Sequence, residues 1–123
     1  MLQWLSLLFR FGHLATYRSK TGPELSARTM QWVETLFRPT DRAFVSEMLM
    51  SKCGFDVPGM RHSGQEDIDR VRCSVLKLSD GSVAALMQAV ELAQVDVRDL
   101  FVSAGFPNPS DHEEWVPAKR SWE

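Results

Sequence analysis

The stretch from Ser63 to Leu78 constrains this chain more than any other. Ser63-Gly-Gln-Glu66 has the spacing of a capping box, in which a hydroxyl and a carboxylate satisfy the orphan amide donors at a helix start. Ile68, Val71, Val75 and Leu78 follow at spacings of three, four and three, the period of one apolar helix face and not the alternation of a strand. Ser79-Asp80-Gly81 then marks a turn into Val83, Leu86, Met87, Val90 and Ala93, so the two segments predict an antiparallel helical hairpin. Asp96 has the side chain and position of an N-cap for one more helix, with Val95 and Leu100 placed as a hydrophobic staple across it. Gly105-Phe106-Pro107 supplies the glycine, apolar contact and proline that end a helix.

The same punctuation runs through the first half. Thr21-Gly-Pro-Glu24 reads as a second capping box, leading into Leu25, Met30, Trp32, Val33, Leu36 and Phe37 on one broad face, and Pro39 stops that helix. Thr40 is positioned to cap the next helix, which turns Phe44, Val45, Met48 and Leu49 inward and is expected to end on Gly54 in the left-handed conformation. Residues 55–62 contain Pro58 and Gly59 and no periodicity, so they predict the one long internal loop. The pattern as a whole predicts an all-α chain, a compact bundle of five or six short helices, with residues 1–106 as a single helical domain. A length of 123 residues suits one core, and 44% hydrophobic with 24% charged residues is ordinary globular composition.

Both ends of the chain carry more apolar surface than a solvated segment tolerates. Residues 2–14 place Gln3, Ser6, Arg10 and His13 on one narrow stripe and fill the rest with Leu, Trp and Phe, so one neighbouring helix is not enough to cover them. Either this helix is central in its own bundle, or Trp4, Leu5, Leu8 and Phe11 bind a protein partner, with a homodimer as the favoured case. The segment has neither the leading basic residues and cleavage pattern of a signal peptide nor the ~20 apolar residues of a membrane span. The tail, residues 107–123, is polar and proline-spaced, yet Trp115 and Trp122 are large rings that are expected to dock on this bundle or on a partner. Ser110-Asp-His-Glu113 is placed to cap one turn leading to Trp115.

A formal net charge of −2 disfavours a general attraction to nucleic acid. The excess shifts along the chain, from eight Lys/Arg against five Asp/Glu in residues 1–64 to four against seven in residues 65–104 and two against four beyond. The helices near 81–94 and 96–104 have the layout of a helix-turn-helix, but the second offers Asp96, Arg98 and Asp99 where a DNA reader needs a basic, amide-rich face. Two cysteines, Cys53 and Cys73, are too few for a disulfide framework and fit a reduced, cytoplasmic setting.

The run Asp67-Ile-Asp-Arg-Val-Arg-Cys-Ser-Val-Leu-Lys-Leu-Ser-Asp-Gly81, with Ala89-Val-Glu-Leu-Ala93 and Val97 to Phe106 after it, resembles a pattern in short bacterial all-α proteins that have no assigned activity. The resemblance covers about a third of the chain. It implies a helical fold and a bacterial origin, and it carries over no catalytic or binding residue.

Chemistry is sparsely written. His13, His62, His112, Cys53 and Cys73 fall in none of the spacings that metal sites use, and the two thiols sit where cysteine serves as a small hydrophobe, so no metal or other cofactor is expected. His62 and Ser63 near Asp56 and Glu66 form the best catalytic cluster, but Ser63 is better explained as a cap, and no catalytic residue is assigned. Asp67 and Asp69 diverge on a helix and suit its positive N-terminal end. No glycine-rich phosphate loop occurs. The reading that remains is a non-catalytic protein-protein interaction module. Its alternatives are a small enzyme with a site near the 55–66 loop and a carrier of a small apolar ligand between its Met-, Leu- and Phe-rich helices.

Overall fold

The computed structural model describes residues 22–118, and the expected helix over residues 2–14 and Trp122 lie outside the described residues. The described chain forms five α-helices: α1 (Ala27–Leu36), α2 (Pro39–Lys52), α3 (Gln65–Ser79), α4 (Val83–Val95) and α5 (Val97–Ala104). A single 3-10 turn, Asp111–Glu114, follows, and no strand occurs among the described residues. None of these helices is long and apolar enough to cross a membrane.

α3 is the hub. It packs most extensively on α4 and α5, and it also touches α1 and the 3-10 turn, while α1 pairs with α2 and α2 with α4. Residues 71 to 76 are buried without interruption, so the helix is enclosed on all sides through its middle and not along one face only. Val71, Val75 and Leu76 join Ile68 in a core shared with Trp32, Val33 and Leu36 of α1, Val45 and Leu49 of α2, Leu86 and Ala93 of α4, and Leu100 and Ala104 of α5. Arg72 and Ser74, which a one-faced helix would turn to water, are buried as well.

The helix ends divide into two kinds. In the second half the chain closes its own ends. Ser82 caps α4 by accepting from the Ala85 amide at 3.1 Å, and Asp96 caps α5 through one carboxylate oxygen that accepts from Arg98 and Asp99 at 3.1 Å each. Asp80 takes the left-handed conformation after α3, and Gly105 does so after α5 at φ 83°, where its N–H and that of Phe106 return to the last turn. Of the predicted staple only Leu100 is buried, because Val95 stands 76% exposed.

The first half departs from its predicted caps. Ser26 caps α1 by accepting from Thr29 N–H at 3.1 Å, beyond the predicted Thr21-to-Glu24 box, whose Thr21 lies outside the described residues. α2 begins on Pro39 with Arg38 before it and no side-chain cap, so Thr40 sits inside the helix. Its far end stops at Cys53, and Gly54 is not in the left-handed region. The α3 capping box also fails: Gly64 is the residue before the helix, no side chain caps it, and Ser63 Oγ donates to Met60 Sδ at 3.6 Å.

What closes the carbonyl ends of α1 and α2 is arginine from elsewhere. Arg42 of α2 donates to the Phe37 and Glu34 carbonyls at 2.9 Å each, closing α1. Arg72 of α3 donates through Nε to Leu49 O at 3.2 Å and Cys53 O at 3.1 Å, closing α2, and through Nη1 to Glu24 O at 3.4 Å. Gly22 lies so near this guanidinium that a Cβ there would meet Arg72 Nη2 and the Gly54 Cα at 3.1 Å each. A side chain there would push its neighbours aside by a few tenths of an ångström, so that close approach favours glycine.

Residues 54–64 form a chain of tight turns, with the Val57, Met60 and Ser63 N–H groups donating to the Gly54, Val57 and Met60 carbonyls. Val57 and Met60 are buried anchors, and Asp56 ties the loop to α4 by accepting from Gln94 Nε2 at 3.0 Å.

Candidate functional site

Three features of the described residues are candidates for function, and two of them are surfaces. The first is a groove of about 430 Å³ between α2 and α4, lined by Met48, Lys52, Met87, Gln88, Val90, Glu91 and Gln94. Its position follows from how the two helices pack. Val45 and Leu49 turn into the core from α2, and Leu86, Ala89, Val90 and Ala93 turn inward from α4. That rotation leaves Phe44 46% exposed and Met87 38% exposed, with Met48 half-buried one turn from Phe44. The inward orientation expected for Phe44 and Met87 is therefore corrected, and so is that of Met30 on α1, which is 50% exposed. The helices carry a wider apolar face than their neighbours cover, and packing decides which edge is left over.

The second is an aromatic shelf built on the tail. Trp115 docks on its own bundle, its ring centroid 5.2 Å from that of Trp32 and 6.2 Å from that of Phe106. Arg28 lies over Trp32 at 5.6 Å and Lys77 over Phe106 at 4.5 Å, so cations flank both ends of the ring series. Arg70 holds the preceding chain, donating to Phe106 O at 3.1 and 2.8 Å and to Pro107 O at 2.6 Å while stacking on Phe101 at 3.7 Å. The ring left half-exposed faces a shallow hollow with Arg28, Gln31, Thr35 and Glu113.

The third is a cluster at the junction of the 3-10 turn with α3. His112 is 1% exposed, and both its ring nitrogens are buried without a hydrogen-bond partner. Its backbone is fixed: His112 O accepts from Trp115 N–H at 3.3 Å and from the Cys73 thiol at 3.9 Å, and Phe106 packs edge-on against the ring. One ligand atom each from His112, Glu66 and Glu113 fall within 4.8 Å of one another, and both carboxylates are exposed. Burial lowers the imidazole pKa below its ordinary 6.5, with Glu113 pulling the other way.

The predicted catalytic cluster is not assembled. His62 stands exposed, the Ser63 hydroxyl is spent on Met60, and no hydrogen bond joins either to Asp56 or Glu66 among the described residues. The two thiols are buried and free, and burial drives Cys53 up to about 12 and Cys73 higher still, so both are held as neutral thiols.

Of the residues assigned to partner binding from sequence, Trp115 is placed on the chain's own bundle, and Trp4, Leu5, Leu8, Phe11 and Trp122 lie outside the described residues. Sequence reasoning missed the groove and the His112 cluster. The Phe44 to Met48 spacing was visible, but its outward rotation was not, and nothing in the sequence joins Glu66 to residues 46 and 47 positions later. No family model, curated relative or solved structure matches this chain.

Proposed function

We propose that this chain is a non-catalytic protein-protein interaction module that docks an apolar helix in the groove between α2 and α4, and that the helix is residues 2–14 of a second copy. The observation that carries the reading is the Met48, Met87 and Val90 lining, with Phe44 exposed a turn further along α2. Methionine adapts its shape to an incoming side chain at little cost, which suits a surface that receives a helix. Trp4, Leu5 and Phe11 each stand three or four residues from Leu8, the intervals that a groove reads, and Arg10 on the polar stripe complements Glu91 at the rim. Exchange of the same segment between two copies makes a closed two-fold dimer.

The disconnected His62 and Ser63, and thiols held protonated, favour binding over catalysis. A reduced, cytoplasmic and bacterial setting belongs to the same proposal, supported by two buried free thiols and by the resemblance of residues 67–106 to short bacterial helical proteins.

Light scattering at micromolar concentration tests it. Wild-type protein is expected to be dimeric, and both L5E/L8E and M87E are expected to give folded monomers by circular dichroism. A monomeric wild type overturns the dimer. Loss of folding in L5E/L8E places the segment in the core of its own bundle and overturns it equally.

A further inference from the structure

We infer that Glu66, His112 and Glu113 form a binding site for one divalent transition-metal ion of the zinc class, joining the 3-10 turn to the start of α3. Two independent observations converge on it. The first is the unmet chemistry of His112. A neutral imidazole carries one donor and one acceptor, yet the ring is 1% exposed and neither nitrogen has a partner. Leaving such a group unsatisfied in a protein interior costs about 1–3 kcal/mol, so a buried orphan of this kind points to an ion or ordered water that completes it.

The second is the convergence of ligand atoms. A ring nitrogen of His112 and one oxygen from each of Glu66 and Glu113 lie within 4.8 Å of one another. Around a tetrahedral ion with bonds of ~2.0–2.2 Å, neighbouring ligand atoms stand roughly 3.4 Å apart. The set has to contract by little more than 1 Å on that estimate. The exposed carboxylates make that movement by rotation, while His112 stays fixed by the carbonyl bonds and the Phe106 contact. The imidazole is buried and both carboxylates are exposed, so three protein ligands with a water would complete a tetrahedral shell.

The donor set also selects the ion. Calcium requires six to eight oxygens and magnesium a near-octahedral oxygen shell, and neither favours a buried imidazole as its anchor. One nitrogen and two carboxylate oxygens suit zinc and its first-row neighbours, and two carboxylates neutralise a dication. The failed capping box explains why Glu66 is free for this: with Gly64 before the helix and Ser63 bonded to Met60, the Glu66 carboxylate is not used in the cap. A bound ion fixes Glu113 to α3, and Trp115, two residues on, is thereby held against Trp32. The site acts as a clasp for the tail.

Isothermal titration of Zn²⁺ into untagged, chelator-stripped full-length protein tests the assignment. One ion per chain is expected to bind at micromolar affinity, to raise the unfolding midpoint, and to give the visible absorption of tetrahedral Co²⁺ when cobalt is used. E66Q and E113Q keep their fold because both side chains are exposed, and each is expected to weaken binding about tenfold or more, since losing even a group that only orients a ligand costs that much. A shift of the His112 ring-nitrogen NMR signals on adding Zn²⁺ completes the set without a mutation in the buried position. No saturable binding at micromolar Zn²⁺ overturns the proposal, as does wild-type affinity in the E66Q/E113Q double variant or an unmoved His112 signal.

Discussion

The ends of α5 and α2 show two ways of finishing a helix, and the difference organises the molecule. α5 is closed by residues next to it in sequence: Asp96 at the start, and Gly105 in the left-handed conformation at the finish. α2 has no side-chain cap at its start, and at its far end the Leu49 and Cys53 carbonyls are taken by Arg72 from the middle of α3 and the Lys52 carbonyl by Gln94 of α4. A local cap forms as soon as the helix does. A borrowed one forms only when two helices meet in register, so α2 depends on the tertiary fold for a bond that α5 supplies to itself.

Removing Arg72 is the hardest blow to that arrangement. Arg72→Met keeps most of the volume but leaves Leu49 O and Cys53 O without this donor in a buried site, and also removes the part-buried bond to Glu24 O. At about 1–3 kcal/mol for each buried group left unsatisfied, a loss of about 3 kcal/mol or more is expected in urea unfolding. A loss below about 1 kcal/mol erases the contrast, because it makes the α2 end indifferent to its closure.

Trp115→Ala tests whether the tail belongs to the bundle. The half-buried ring packs on Trp32 and Phe106, so about 2 kcal/mol of stability is expected to go with it. Tryptophan fluorescence should also change through Trp32, which loses its neighbour. Unchanged stability and an unchanged Trp32 signal would make the tail a passive extension.

Alkaline pH probes the core around the borrowed cap. Burial raises the folded-state pKa of Cys53 from 9.0 to about 12, and Cys73 moves in the same direction. A raised acid is neutral in the fold while the unfolded chain already ionises, so stability is full below pH 9 and falls as pH rises through the window from 9 towards 12. The slope is about 1.4 kcal/mol per pH unit for each thiol. Cys53→Ala and Cys73→Ala are each expected to flatten it, and native protein should resist a thiol-alkylating reagent at neutral pH.

The smallest effects compare a cap that forms with one that does not. Asp96→Ala removes an acceptor from two amides and is expected to cost about 1 kcal/mol. Ser63→Ala removes only a long contact to Met60 Sδ and is expected to stay within about 0.5 kcal/mol. Equal losses would mean that the S-x-x-E pattern stabilises α3 after all.

These contrasts also mark what was legible from residues alone. The all-α class, the α3-turn-α4 hairpin, the Asp96 cap and the Gly105 stop follow from patterns spanning a few residues, because period, hydroxyl or carboxylate capping and left-handed glycine act within one or two helical turns. The docking of Trp115 was legible in the same sense, since a large ring on a polar tail has to find cover, although its target was open. Which of Phe44, Met48 and Met87 faces out, why Arg72 is inside, and how Glu66 comes to lie beside His112 were decided by tertiary packing. A single helix carries an apolar face broader than one neighbour buries, and its rotation is set only when every neighbour is in place. Arginine reads as a surface residue by composition, and becomes a core residue only where other helices leave carbonyls unclosed. Local physical chemistry thus determined that this chain makes helices and where several of them stop. The three-dimensional packing alone decided which side chains were spent on holding the bundle and which were left over for function.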